Sequence, residues 1–200
     1  LQKMSWAFTE SAVLFAAIQS GFFTAVSTHG ESSQAIADAM GITDANAQRM
    51  IVALLTMDLI EPDGEGFRNA PDVERFLVEN TRSYAGRWIS WFHHQWENWG
   101  KLGDRLQNKG PEQTLGFYNE GFTVEHARRY HQATSSVGLG AARKFLAEVD
   151  LSGRHKLLDL GGGSGAYSIE AAKKYPELQA VVLDLAEVVV ISREFISEHG

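Results

Sequence analysis

The sequence predicts a mainly α-helical N-terminal region that runs into the opening of an α/β domain. Three observations carry this. Apolar residues recur at helical spacing through most of the first 150 positions. A strand–turn–strand pattern, "LIEPDGEGFRNA" at 59–70, interrupts them. The order apolar strand, glycine turn, helix, apolar strand appears once and late, in "KLLDLGGGSGAYSIEAAKKYPELQAVVLDL" at 156–185.

Taken in order, residues 11–28 put Phe15, Ile18 and Phe22 at helical spacing. "SSQAIADAMG" follows, with Ile36, Ala37 and Met40 on one face, serines at its start and Gly41 at its end. "TDANAQRMIVALLTMDLIE" then carries Ala47, Met50, Ile51, Leu54 and Leu55 as one stripe, and Thr43 or Asp44 is a ready N-cap. The Pro/Gly turn of "LIEPDGEGFRNA" makes the next element a hairpin. Helix, helix, helix, hairpin is the winged-helix order. Residues 72–108 read as helical again and are rich in aromatics, holding four of the five tryptophans. Residues 108–124 read as loop. Residues 123–147 return to helix, weakened at Gly138 and Gly140, and "DLSGR" is a turn. The division this suggests is 1–105 for a helical winged-helix-like domain, 106–152 for a helical linker, and 153–200 for the start of the α/β domain.

Composition narrows the function. A chain of 200 residues with 44% hydrophobic composition holds one domain of good size or two small ones. It contains no apolar run of 18 residues, which predicts no membrane span, and no secretory pattern opens it. The absence of cysteine excludes a disulfide framework and thiolate metal sites, and fits a cytoplasmic protein. A net charge of −7 argues against nucleic acid as a partner. The chain starts at Leu1 and stops at Gly200 just after a helical pattern, so both ends read as cut.

The glycine turn is the candidate site. Gly161, Gly163 and Ala166 satisfy G-x-G-x-x-G/A, a weak dinucleotide signal by itself. Asp159 at the strand end makes the longer pattern D-x-G-x-G-x-G through Gly161, Gly163 and Gly165. A carboxylate there would sit beside the helix N-terminus that holds a pyrophosphate. At about 5 Å from a phosphate charge it costs roughly 3 kcal/mol at an effective dielectric near 20. A cofactor with a cationic amino-acid end and no phosphate gains from the same charge, and S-adenosylmethionine is such a cofactor. Asp184, at the end of the second strand, is placed to accept ribose hydroxyls, which NAD and S-adenosylmethionine share. The bland alternative is a tight turn with Asp159 capping the helix.

With these residues in view, "LLDLGGGSGAYSIEAAKKYPELQAVVLDLAEVV" resembles the first cofactor motif of the small-molecule S-adenosylmethionine-dependent O-methyltransferases, among them plant phenolic, bacterial polyketide and acetylserotonin methyltransferases. Ala186 stands where that family usually has proline. "AIQSGFFTAVSTHGESSQAIADAMGITDANAQRMIVALLTMDLIEPDGEGFRNAPDVERFL" resembles its N-terminal winged-helix dimerisation domain, and "FTVEHARRYHQATSSVG" resembles the helix leading into the Rossmann-like methyltransferase domain. The resemblance implies a homodimer that methylates a hydroxyl on a small, often aromatic, molecule and leaves S-adenosylhomocysteine. It places Asp159, Gly161, Gly163 and Gly165 along the methionine part of the cofactor, Asp184 at the ribose, Leu185 at the adenine and Tyr118 as a closing residue. Phe117, His131 and Thr134 fall on the acceptor side. The family's general-base histidine lies on a later strand, beyond residue 200, so no catalytic residue is assigned here.

Other features read more plainly. His93 and His94 are adjacent, and His126 and His131 are five apart, so neither pair shares a helix face and no metal is expected. The tryptophans of 88–99 read as core and dimer contact. Two further functions fit parts of the chain. A transcriptional regulator fits the winged-helix order, but residues 44–58 hold one basic residue, Arg49, against Asp44 and Asp58. An NAD-dependent oxidoreductase fits the bare glycine fingerprint but leaves Asp159 unexplained.

Overall fold

The structure, a computed structural model, describes residues 1–109 and 121–199. Two compact units divide the chain, Leu1–His93 and His94–Gly200.

The first unit opens with helix α1 (Gln2–Gln19) and helix α2 (Phe22–His29), bent 64° from each other. The sequence reads 11–28 as one helix. The break comes at Gly21, whose φ of 72° belongs to the left-handed region that glycine enters without a Cβ penalty. The break lets Ile18, Phe22, Phe23 and Val26 all turn inward. Helix α3 (Ser33–Met40) starts where the Ser32 hydroxyl accepts the Ala35 N–H at 3.1 Å and stops at left-handed Gly41. Helix α4 (Asp44–Thr56) is capped by Thr43, whose Oγ1 accepts the Asn46 N–H at 3.3 Å. Its stripe is buried as its spacing predicts, at Ala47, Ile51 and Leu54, with Met50 and Leu55 packed alongside.

Strands β1 (Ile60–Asp63) and β2 (Gly66–Asn69) form an antiparallel hairpin in the register Ile60↔Asn69 to Asp63↔Gly66. Four helices, α1 to α4, thus precede the hairpin, where the sequence pattern predicts three. The hairpin docks on the end of α2, where the Phe67 N–H donates to the Gly30 carbonyl at 2.6 Å. The buried Asn69 amide donates to the Phe23 carbonyl and to Glu74 Oε2, and the Ser27 hydroxyl donates to Glu74 Oε1 at 2.7 Å. These bonds tie helix α5 (Pro71–Leu77) to the same core.

The stretch read as helical over 72–108 is broken into short pieces: α5, α6 (Gly86–Trp91), a 3-10 turn (Phe92–Gln95), α7 (Trp96–Gly100) and α8 (Leu102–Leu106). Side-chain hydrogen bonds, one of them long-range, compete with helix after α5. The Glu79 N–H donates to Thr24 Oγ1, the Thr81 hydroxyl donates to the Val78 carbonyl, and Asn80 turns to φ 64°. The tryptophans are not core residues: Trp88 and Trp91 are half-buried, and Trp99 is 70% exposed. That part of the sequence reading is corrected, because helices this short bury too little of any one face.

The second unit is built on helix α9 (Val124–Glu148), 25 residues long and unbroken at Gly138 and Gly140. Gly138 weakens nothing visible; a Cβ there would lie 3.3 Å from the Ala166 Cβ, so the glycine admits a neighbouring helix. That neighbour is α10 (Ala166–Lys174), which connects parallel strands β3 (Lys156–Leu160) and β4 (Gln179–Leu183) in the register Lys156↔Gln179 to Leu160↔Leu183. Helix α11 (Ala186–His199) closes the described part. Leu146, Ala171 and Leu178 form one apolar cluster and Ala127, Val188 and Ile191 another. Ile169 and Ala171 are buried on the inner face of α10, while Ala172 is exposed. β4 is buried on one face only: Ala180 and Val182 are half covered while Val181 and Leu183 are exposed. Among the described residues no single helix is long and apolar enough to cross a membrane, although α1 and α2 together pass that test as a bent pair.

A Cβ on residue 30 would come within 2.1 Å of the Phe67 carbonyl oxygen and 2.6 Å of the Val26 carbonyl oxygen. Both contacts are backbone and cannot swing away. Gly30→Ala is therefore expected to destabilise the first unit by about 3 kcal/mol, the upper part of the overpacking range, measured as a fall in the urea midpoint followed by tryptophan fluorescence.

Candidate functional site

The candidate site forms where β3 ends and α10 begins. Of the five residues 161–165, Gly161 (φ 68°), Gly163 (φ 57°) and Gly165 (φ 79°) occupy the left-handed region, which explains glycine at alternate positions. The Gly161 N–H donates to the Leu183 carbonyl at 2.8 Å and pins the turn to the end of β4. The Gly165 N–H closes the turn on the Gly162 carbonyl at 2.8 Å.

Gly163 is the point where three other elements meet. Its N–H donates to Asp184 Oδ2 at 2.8 Å, just past β4. Its carbonyl accepts the Ser192 hydroxyl of α11 at 2.5 Å. The space left by its missing side chain is filled by the His131 ring of α9, whose Cε1 lies 2.8 Å from where a Cβ would stand. Asp184 is engaged on both oxygens, since Oδ1 accepts the Leu185 N–H at 2.8 Å.

Asp159 is half-buried beneath the turn, and its Oδ2 accepts the Ser168 hydroxyl at 2.9 Å. Gly162 makes room for it: a Cβ there would sit 2.7 Å from the Asp159 Cγ and 2.9 Å from Val182 Cγ1. The capping alternative does not hold, because α10 begins at Gly165 without any side-chain cap. The first amides of α10 thus face the same turn as two carboxylates.

His131 is 6% exposed, and its ring packs edge-on against Tyr130 at 5.2 Å. Burial pushes its imidazole below the ordinary histidine range, and the Asp184 carboxylate partly offsets this. Thr134 lies one turn further along α9, half-buried, and Leu185 is exposed at the mouth of the turn. Phe117 and Tyr118 lie outside the described residues. Ser168 and Ser192 were not foreseen, since a serine on the inner face of a helix looks in sequence like any small residue. Two ion pairs lock α9 around the site. Arg128 grips Glu194 of α11 with two hydrogen bonds, one at 3.0 Å, which holds the Glu194 carboxyl below its usual range. Arg143 meets Glu170 of α10 at 3.1 Å. Among the described residues no group of three or more His, Cys, Asp or Glu side chains could hold a metal ion.

The family description "O-methyltransferase domain" matches residues 99–200, which include the whole of this site. The chain belongs to that family. Two curated members show the range of similarity. The N,N-dimethyltransferase OxyT of Streptomyces rimosus is 25% identical over all of this chain and 60% of its own length. The 3-hydroxy-5-methyl-1-naphthoate 3-O-methyltransferase of Streptomyces sahachiroi is 25% identical over 96% of this chain and 56% of its own. Among solved structures, human N-acetylserotonin methyltransferase in complex with SAM superposes with a TM-score of 0.76 at 22% identity, over 97% of this chain and 61% of that one. The fold described above is thus shared over most of the chain, and the chain spans about 60% of the length of such relatives.

The buried His131 has a consequence for stability. An unfolded histidine protonates near 6.5, and the folded one lower. At higher pH both states hold a neutral ring. As pH falls through the unfolded value, the unfolded chain takes up the proton first and the folded state loses stability. Urea midpoints measured from about pH 7.5 to about pH 5.5 should therefore fall more for the wild type than for His131→Asn.

Proposed function

We propose that the intact protein transfers a methyl group from S-adenosylmethionine to a hydroxyl on a small, aromatic or polyketide-like molecule. The observation that carries this is the pairing of Asp159 and Asp184 at the ends of adjacent parallel strands, on either side of a left-handed glycine turn. Two carboxylates around an uncapped helix start disfavour a pyrophosphate and favour a cationic amino-acid group. Family membership supports the same conclusion, and nothing in it supports the regulator or the NAD-dependent oxidoreductase.

S-adenosylmethionine, when bound, supplies a methyl group activated on a sulfonium. The chain's own residues bind and orient it. In this assignment Asp159, Gly161, Gly163 and Gly165 run along the methionine part, Asp184 takes the ribose hydroxyls and Leu185 flanks the adenine. Each Asp184 oxygen has a second lone pair beyond its present N–H partner, so it can accept a hydroxyl without releasing the turn. Tyr118 would close over the cofactor, and Phe117, His131 and Thr134 would face the acceptor. Holding donor and acceptor in line accounts for much of the rate in such a transfer. No general base is assigned among these residues; by family pattern it is a histidine on a later strand. Similarity to OxyT supports nitrogen as a second acceptor type.

The proposal extends to assembly. The winged-helix-like domain, drawn at 1–105 and joined through 106–152 to the cofactor domain from 153, would pair two copies of a cytoplasmic enzyme. The exposed Met4 and Trp6 of α1 support this, since apolar residues so grouped usually meet a partner.

Titration calorimetry of S-adenosylhomocysteine into the chain, with NADH as control, tests the cofactor. Micromolar binding of the first alone is expected; binding of NADH alone would overturn the reading. Asp184→Ala leaves two hydroxyls without an acceptor and should weaken S-adenosylhomocysteine binding by about 2 to 3 kcal/mol. Unchanged affinity would remove Asp184 from the site.

A further inference from the structure

A glycine in the left-handed region holds its conformation only through its neighbours, since it has the weakest preference of any residue. Gly163 has three such neighbours. Two are hydrogen bonds, from its N–H to Asp184 and from Ser192 to its carbonyl. The third is the His131 ring, which occupies the space where any side chain at 163 would stand. That ring cannot retreat as a surface side chain would. It is buried, Arg128 one turn before it is held by Glu194, and Arg143 further along the same helix is held by Glu170. The contact also reaches beyond the turn, because the Gly163 N–H fixes the Asp184 carboxylate.

We propose that His131 is a positioning residue for the cofactor turn: wedged beside Gly163, it holds the turn and through it Asp184 in the arrangement that receives S-adenosylmethionine. The proposal rests on the reading of this turn as the cofactor site. It gives His131 a place on the cofactor side in addition to the acceptor-side place that family pattern implies.

The wedge is suited to a cationic ligand only while the ring is neutral. The charged and titratable groups around it are few. On α9 they are Tyr130 and Arg128, the latter neutralised by Glu194 of α11 and by Glu125. Residues 161–165 carry no ionisable side chain. Asp159 lies next to the end of β3 and accepts the Ser168 hydroxyl of α10, Asp184 follows β4, and Glu170 of α10 is taken by Arg143. Asp184 is the charge that acts on the ring, and burial outweighs it, so the ring stays neutral at neutral pH. A proton added there places positive charge beside a site for a cation. S-adenosylmethionine carries a net positive charge that S-adenosylhomocysteine lacks, so acidification should weaken the first more than the second.

The test is calorimetric titration of both ligands into the wild type, His131→Ala and His131→Asn, from about pH 7.5 to about pH 5.5. His131→Ala should weaken S-adenosylhomocysteine about tenfold at neutral pH, and His131→Asn, which keeps a planar polar group in the gap, should recover much of that. The ratio of the two affinities should fall with acid in the wild type and stay level in both variants. Wild-type affinity in His131→Ala, or an unchanged pH profile in both variants, would overturn the proposal. Amide hydrogen exchange at Gly163 without ligand is a readout of the wedge alone. Exchange about tenfold faster in His131→Ala, and nearer wild type in His131→Asn, is expected. Unchanged exchange would overturn the positioning role whatever binds. Faster exchange in His131→Ala, together with a wild type that binds neither ligand, would keep the wedge and dismiss the cofactor reading.

Discussion

The second unit depends on the backbone of one residue without a side chain. Gly163 is held by a carboxylate from the end of β4, a hydroxyl from α11 and an imidazole from α9. Each comes from a different element, and each needs the others in place. The hydrogen bond to Asp184 requires β4 to run parallel to β3 with its end beside the turn, which the Leu160↔Leu183 register and the Gly161-to-Leu183 bond secure. The bond from Ser192 requires α11 to fold back over the turn, which the apolar contacts of Val188 and Ile191 with Ala127 secure. The ring of His131 requires α9 to lie close, which Gly138 against Ala166 and the two ion pairs secure.

This arrangement gives the turn its chemistry. The half-buried carboxylates of Asp159 and Asp184 are met by hydroxyl and amide donors that bring no positive charge. No cation among these partners offsets their negative charge. The first unit holds together by a similar close approach of backbones, between the end of α2 and the hairpin at Gly30 and Phe67.

Much of this was legible in the residues themselves. The α4 stripe, the Thr43 and Ser32 caps, the hairpin and the strand–turn–helix–strand unit all appear where their spacing puts them. These depend on local forces, helix periodicity, capping and turn strain, which act between residues a few positions apart. The errors share a cause as well. The break at Gly21, the short helices after residue 77 and the exposed tryptophans each depend on what lies across the interior. Periodicity does not report that.

For the candidate site, the sequence by itself determined the chemistry of the turn: two acids and three alternating glycines, because charge and φ are properties of single residues. Only the tertiary structure decided how they are held. Ser192, Ser168 and His131 lie 29, 5 and 32 positions from Gly163. The two on other helices reach it because helix packing brings α9 and α11 against the turn, and no local pattern encodes a contact made by packing.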